Sequence, residues 1–150
     1  MKLTTRGEYG LRAIFDLALR QGEGPVSLRS IAERQDISDH YLEQLFSSLR
    51  KAGLVKSIRG AQGGYLLGKP AQEITVGDVI RVLDGPIAPV ECVNEVEPED
   101  CRRAKTCITR EIWARVRDSI TEVVDSITLE DMCNEAEKIS SENNSYMYYI

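Results

Sequence analysis

No apolar run in this 150-residue chain approaches the roughly 20 residues that a membrane-spanning helix needs. The opening residues, Met1-Lys2-Leu3-Thr4-Thr5-Arg6, lack the apolar core of a secretory signal. A cytoplasmic protein with no membrane partner is therefore expected. Histidine is almost missing: His40 stands alone, which excludes a histidine-rich metal site. No nucleophile–base pair is recognisable. The glycine-rich run 60–64 falls between two strand-like segments, whereas a phosphate-binding loop joins a strand to a helix. An enzyme is not expected. The four cysteines, Cys92, Cys101, Cys107 and Cys133, do not read as a disulfide framework in a reducing compartment.

Acidic residues are scarce only in the first half. Residues 1–70 hold eleven Lys/Arg against seven Asp/Glu, a net charge of +4. Residues 71–150 hold eight against seventeen, a net charge of −9. The overall charge of −5 thus hides a basic head on an acidic remainder. A basic head suits nucleic acid.

Apolar spacing supplies the elements. Thr5-Arg6-Gly7-Glu8 fits a capping box ahead of a helix carrying Leu11, Ile14, Phe15 and Ala18. Ser27 opens a short helix with Leu28, Ile31 and Ala32, and Asp36-Ile37 makes a turn. Ser38 opens a third helix, whose apolar face is Tyr41, Leu42, Leu45, Phe46 and Leu49 and whose stop is Gly53. The period then drops to two over residues 54–59 and 65–67, a hairpin. Helix, helix, turn, helix and hairpin is the order of a winged helix-turn-helix. Thr75-Val76-Gly77-Asp78 caps a fourth helix. Residues 86–107, with Pro86, Pro89, Pro98 and three cysteines, read as a loop. From about Thr109 a long helix shows Trp113, Val116, Ile120, Val123, Val124 and Ile127 near a heptad seam. The expected class is mainly α with a small β-hairpin wing. The divisions are a DNA-binding domain (1–84), a cysteine-bearing sensor loop (85–107), a dimerisation helix with a short terminal helix (108–139), and a polar linker with an apolar tail (140–150).

The third helix is the candidate for reading DNA. Asp39, His40, Glu43, Gln44 and Ser47 fall on or near its polar side. In a major groove, glutamine pairs with adenine and glutamate accepts from cytosine. Arg50 and Lys51 suit phosphates. Arg59, at the hairpin tip, suits the negative potential of a minor groove. The plainer reading of each residue taken singly is a solvated helix face. The set as a whole, on a basic head, favours DNA.

Cys92, Cys101 and Cys107 lack the close pairs of structural zinc sites. Thiolates are the usual ligands of iron–sulfur clusters, so a cluster wrapped by this loop is expected, with three free thiols as the alternative. Cys133, far from the loop in sequence, is expected to pack in the core.

Ser38-x-x-Tyr41-Leu42-Glu43-Gln44-Leu45, followed by Gly53-Leu54-Val55-Lys56-Ser57-Ile58-Arg59-Gly60-x-x-Gly63-Gly64-Tyr65-x-Leu67, strongly resembles the IscR/NsrR/CymR family of bacterial regulators. The likeness runs from Met1 to Leu129. It implies a homodimer, expected to repress, on a partly palindromic double-stranded DNA operator. The recognition helix would lie in the major groove and the wing in the minor groove. Ser38, His40, Tyr41, Glu43, Gln44, Arg50, Lys51 and Arg59 are the expected DNA-binding set. Trp113, Val116, Ile120, Val123 and Ile127 are the expected dimerisation set.

The resemblance also implies an iron–sulfur cluster on Cys92, Cys101 and Cys107, with 2Fe–2S favoured over 4Fe–4S. IscR-like members complete it with a histidine three residues after the last cysteine. Here that residue is Arg110, which is no ordinary metal ligand. NsrR-like members use a carboxylate from the partner subunit's first helix, which here is Glu8. A cap role for Glu8 stays open beside that one. The framework at residues 74–91 and 125–131 and the ending Tyr146-Met147-Tyr148-Tyr149-Ile150 resemble the CymR branch. That branch implies a cluster-free regulator of cysteine metabolism controlled by cysteine synthase, an enzyme that accepts C-terminal peptides ending in isoleucine. Ile150 is then the candidate docking residue, with a tail folded back on its own dimer as the alternative.

Overall fold

The structure, a computed structural model, describes residues 3–148. Ile150 lies outside them. The element order is α1 (Thr5–Leu19), α2 (Leu28–Gln35), α3 (Asp39–Lys51), β1 (Val55–Ile58), β2 (Gly64–Leu67), α4 (Val76–Asp84), α5 (Ile108–Ser126) and α6 (Leu129–Tyr148). Single 3-10 turns sit at Ala71–Glu73 and Glu91–Val93. This is mainly α structure with one small antiparallel hairpin, as the sequence pattern predicts.

Local chemistry sets most helix starts. The Ser27 hydroxyl accepts from Ser30 N at 3.2 Å, and the Ser38 hydroxyl accepts from Tyr41 N at 3.2 Å. Thr75 and Asp78 form a reciprocal capping box with both bonds at 3.0 Å, and Thr128 with Asp131 repeats it at 3.0 Å. Each cap satisfies amides that a helix start leaves without intrahelical partners. α1 and α5 start without a side-chain cap. In α1 the expected box from Thr5 to Glu8 does not form. A carboxylate from the end of α4 takes over, since Asp84 accepts from Thr4 N at 3.1 Å and pairs with the Thr4 hydroxyl.

Between α2 and α3 the chain turns at Asp36 in the left-handed region (φ 55°), where a short polar side chain is tolerated. After α3, Gly53 adopts φ 82°, a value open to glycine and strained for other residues, which ends the helix and starts β1. β1 pairs with β2 in the register Val55–Leu67 through Ile58–Gly64. Val26 adds a short third edge, exchanging backbone bonds with Tyr65 at 2.9 and 2.7 Å.

The core lies between α1, α2, α3 and the hairpin. Ile14, Ile31, Leu42, Leu45, Phe46, Leu49 and Ile74 are fully buried within it. Each such side chain contributes about 1.5–3 kcal/mol of transfer free energy. A smaller cluster of Val76, Ile80 and Ile87 joins α4 to Ile120 and Val124 of α5. Leu129, at the start of α6, is fully buried in the main core. α6 runs unbroken through 140–145, the stretch read as a polar linker. Among the described residues no helix is long and apolar enough to cross a membrane.

Candidate nucleic-acid interface

α3 turns its apolar stripe inward and leaves Ser38, His40, Glu43, Gln44, Arg50 and Lys51 exposed. His40 and Gln44, one turn apart, touch through Gln44 Nε2 and His40 Nε2 at 3.3 Å. They form one polar surface with Glu43 beside it. Arg50 and Lys51 occupy the last turn, where cations suit the helix dipole. They stand about 15 Å along the axis from His40, at 1.5 Å per residue. Tyr41 is half-buried and largely engaged within the protein. Its hydroxyl lies 3.4 Å from Thr5 Oγ1, and its ring meets Tyr9 edge-on at 6.3 Å.

The hairpin carries the second exposed element. β1 is buried only at Val55, and Arg59 is exposed at the tip of the 59–63 turn. The wing is not loose on α3. Tyr65 of β2 packs edge-on against the fully buried Phe46 of α3, with ring centroids 5.0 Å apart. Such a pair adds about 0.5–1.5 kcal/mol beyond its area. The face of α3 and the tip of the wing are thus held by one rigid core contact.

Behind them a charged staple joins α1 to α2. Asp16 is almost fully buried. It accepts from Arg34 Nη2 at 2.6 Å, Arg34 Nε at 3.0 Å and Gln35 Nε2 at 2.9 Å, with Arg20 at 3.4 Å. Burial alone would raise its carboxyl pKa. The hydrogen bonds from Arg34 and Gln35 and the charges of Arg34 and Arg20 outweigh it, so the group sits below the ordinary carboxylate value. Sequence reasoning missed this staple because Arg34 and Gln35 lie eighteen and nineteen residues from Asp16, with no periodic signal.

The dimerisation set divides. Trp113, Val116, Val123 and Ile127 are 39, 36, 56 and 36% exposed, and Ile108 and Ile112 join them at 76 and 48%. Ile120 is half-buried against Val76, Ile80 and Ile87 of its own chain, as is Val124. One face of α5 therefore packs on α4, and the adjoining face is an uncovered apolar stripe.

The cysteine loop corrects the metal expectation. Among the described residues, no group of three or more His, Cys, Asp and Glu side chains comes together to hold a metal ion. Cys92 sits in the Glu91–Val93 turn, Cys101 is exposed in a separate turn, and Cys107 is the N-cap residue of α5. Glu8 is exposed on α1 without joining them. The loop is organised by other partners. Glu95 accepts from Ile87 N at 2.8 Å and from Arg81 at 2.7 Å, and Glu99 N donates to Glu91 O at 3.0 Å. Arg110 and Arg117 donate to the carbonyls of Cys92 and Val93 at 3.5 and 3.2 Å. This donor set does not fit an iron–sulfur cluster. The expected 2Fe–2S cofactor, the metal roles of Cys92, Cys101, Cys107 and Glu8, and the likeness to cluster-bearing members in this loop are withdrawn.

The thiols differ in character. The Cys107 pKa is lowered, first by the Thr109 hydroxyl at 3.1 Å and then by backbone amides of the α5 first turn. The Cys133 pKa is raised by burial, in keeping with its packing against the main core. A second feature absent from the sequence reading is Arg81. It is clamped between Glu95 of the loop at 2.7 Å and Asp125 of α5 at 2.6 Å, and both carboxyl groups are held below their ordinary values by it.

Comparison with known proteins agrees with this architecture. The Rrf2 family, described as an iron-dependent transcriptional regulator, matches residues 3–135. The chain is 54% identical over 150 residues to the HTH-type transcriptional regulator CymR of Bacillus subtilis, covering 100% of both chains. It is 46% identical over 140 residues to the HTH-type transcriptional regulator IscR of Pectobacterium atrosepticum, covering 93% of this chain and 84% of that one. The solved structure of B. subtilis CymR, described as the global cysteine regulator, superposes with a TM-score of 0.76 at 55% identity, over 90% of this chain and 98% of that one.

Proposed function

The chain belongs to the Rrf2 family of transcriptional regulators, and from that premise we propose that it binds a two-fold DNA operator as a homodimer and does so without an iron–sulfur cluster. It is a regulator of transcription and not an enzyme. α3 enters the major groove, where His40, Glu43 and Gln44 face base edges, and Ser38, Arg50 and Lys51 hold phosphates. Arg59 enters the adjacent minor groove. The observation that carries this reading is the Phe46–Tyr65 contact, which fixes an exposed polar helix face and an exposed arginine tip as one rigid unit. Footprinting tests it. Gln44→Ala should relax base preference at one position per half-site, and Arg59→Ala should weaken specific binding. Unchanged affinity and preference in both variants would remove these roles.

The signal we assign is cysteine metabolism, with cysteine synthase as the partner enzyme. Support comes from the B. subtilis relative described as a global cysteine regulator and from a loop whose cysteines do not gather. Ile150 is the proposed docking residue, its branched side chain suited to an apolar wall of a partner's pocket. Calorimetry with cysteine synthase tests this. Deleting Ile150 should abolish binding and leave the dimer intact; unchanged affinity would overturn the docking role.

A further inference from the structure

A cavity of about 620 Å³ lies where the end of α1, the 22–26 turn, the start of α2 and the wing turn meet. It is lined by Arg20, Glu23, Ser27, Ser30, Arg34 and Gln62. Its volume falls within the roughly 300–1,000 Å³ of small-molecule sites, and no residue assigned to DNA above lines it. We propose that this cavity binds a free α-amino acid with a short polar side chain, its carboxylate on Arg20 beside the start of α2 and its ammonium on Glu23.

Charge decides the class of ligand. Asp16 supplies one negative charge to two guanidiniums. Arg34 takes it with Nε and Nη2, at 3.0 and 2.6 Å. Arg20 approaches only to 3.4 Å, and its buried Nε makes no hydrogen bond among the described residues. The charge of Arg20 is therefore incompletely met by the protein, and an anion in the cavity completes it. The start of α2 adds to the same positive pole. Its first turn holds no acidic side chain, so the helix dipole is uncompensated there. Glu23, exposed on the turn, acts on Arg34 through charge alone and forms no ion pair among the described residues. Cation and anion thus line one cavity without neutralising each other, and a zwitterion answers both. Ser27, Ser30 and Gln62 offer hydroxyl and amide groups to the ligand's own side chain. The site also abuts the wing. Val26, in the cavity wall, exchanges backbone bonds with Tyr65 at 2.9 and 2.7 Å, and Gln62 belongs to the turn that carries Arg59. An occupant that ties Gln62 to the start of α2 restrains that turn, leaving less ordering for DNA to impose, so operator affinity rises. This last step rests on the reading of Arg59 as a DNA contact.

Calorimetry with L-serine, L-cysteine and L-asparagine tests the site without DNA. At least one should bind with a dissociation constant below about 1 mM. Arg20→Gln and Glu23→Gln should each weaken it about tenfold or more, with circular dichroism checking that both variants fold. In ¹⁵N spectra the amides of Gly24, Ser27, Ser30 and Gly63 should shift on binding. Absence of binding by all three amino acids, or binding that both variants retain, overturns the site. So does inorganic phosphate that binds more tightly than any of them and gains from Glu23→Gln, since the cavity then takes anions alone. Operator titration reads the coupling. A saturating amino acid should tighten operator binding about fivefold or more, and Glu23→Gln should lose that gain. Unchanged operator affinity, while Arg59→Ala still weakens the complex, overturns the coupling alone. If Arg59→Ala is without effect as well, the reading of the wing falls with it.

Discussion

Replacing Asp16 by asparagine isolates the charged staple that fixes α1 to α2. The amide keeps the shape of the carboxylate and one acceptor oxygen. Its NH2 group would then face the donors of Arg34 or Gln35, which now lie 2.6 to 3.0 Å from carboxylate oxygens. Breaking a buried ion pair costs about 3–5 kcal/mol. The side chains of Arg34 and Arg20 are 32 and 33% exposed and recover part of their hydration, so the expected loss is about 2 kcal/mol. For a chain of this size that corresponds to a fall in Tm of roughly 4–8 °C. The pH dependence has a fixed sign. The Asp16 pKa is lowered in the folded protein. Its contribution is therefore complete above the unfolded value of about 3.9 and is lost as pH falls through the lower folded value. Urea denaturation of both proteins at pH 7 and again near pH 3 measures this. The gap between them should be wide at pH 7 and should narrow on acidification. A gap below about 0.5 kcal/mol at pH 7, the range of ordinary surface substitutions, would refute the reasoning. So would a gap that stays constant with pH.

Three further outcomes are expected. Operator affinity should fall steeply with salt, because neutralising phosphates releases counterions; Arg50→Ala and Lys51→Ala should each reduce the slope of log affinity against log salt by about one, and an unchanged slope removes their phosphate role. A Cys92→Ser, Cys101→Ser, Cys107→Ser protein should protect its operator in footprinting as the parent does, with or without oxygen; lost protection would return the loop to a sensing role. Thr75→Ala removes one half of a complete capping box and should cost about 0.5–2 kcal/mol in thermal melts, and a variant that melts with the parent would show that the cap is redundant with the neighbouring backbone bridge.

What the sequence reveals well is what neighbouring residues decide. Ser27, Ser38 and Thr75 cap their helices as expected, because each partner lies three positions away. Gly53 stops α3 where the apolar period changes. Thr5 fails the same test because Asp84 arrives from the far end of the domain to occupy the first turn of α1. The exposed polar residues of α3 and the wing are legible for a related reason: a helix has a single polar side, and the wing has one cation at its tip. The cysteines are not legible in this way. Three thiols within sixteen positions satisfy a ligand count, yet spacing says nothing about convergence. A loop pinned by Glu95, Arg110 and Arg117 keeps them in separate turns. The same limit hides Ile120, which continues the α5 seam in sequence but turns onto α4 in space.

Arg81 and the 75–128 bridge explain how an outer helix pair is made part of the DNA head. Val76 N donates to Ile127 O at 2.8 Å, and Leu129 N donates to Ile74 O at 2.9 Å, so the α5–α6 corner is sewn to the start of α4. Arg81, one turn further along α4, grips Asp125 on α5 and Glu95 in the loop. Gly77 lets this clamp close, since a Cβ there would run into Asp125 Oδ1 and crowd Arg81. α4 in turn holds α1, through Asp84 on Thr4 and through Arg6, which donates to Leu83 O at 3.2 Å and to Ser48 of α3 at 3.3 Å. A chain of direct contacts therefore runs from the loop and the α5 stripe through Arg81, α4 and Arg6 to the recognition helix. Any partner that shifts α5 or the loop must either carry α3 with it or break a charge-assisted bond, worth about 1.5–3 kcal/mol. A displacement of α5 or the loop thereby gains a physical route to the exposed face of α3.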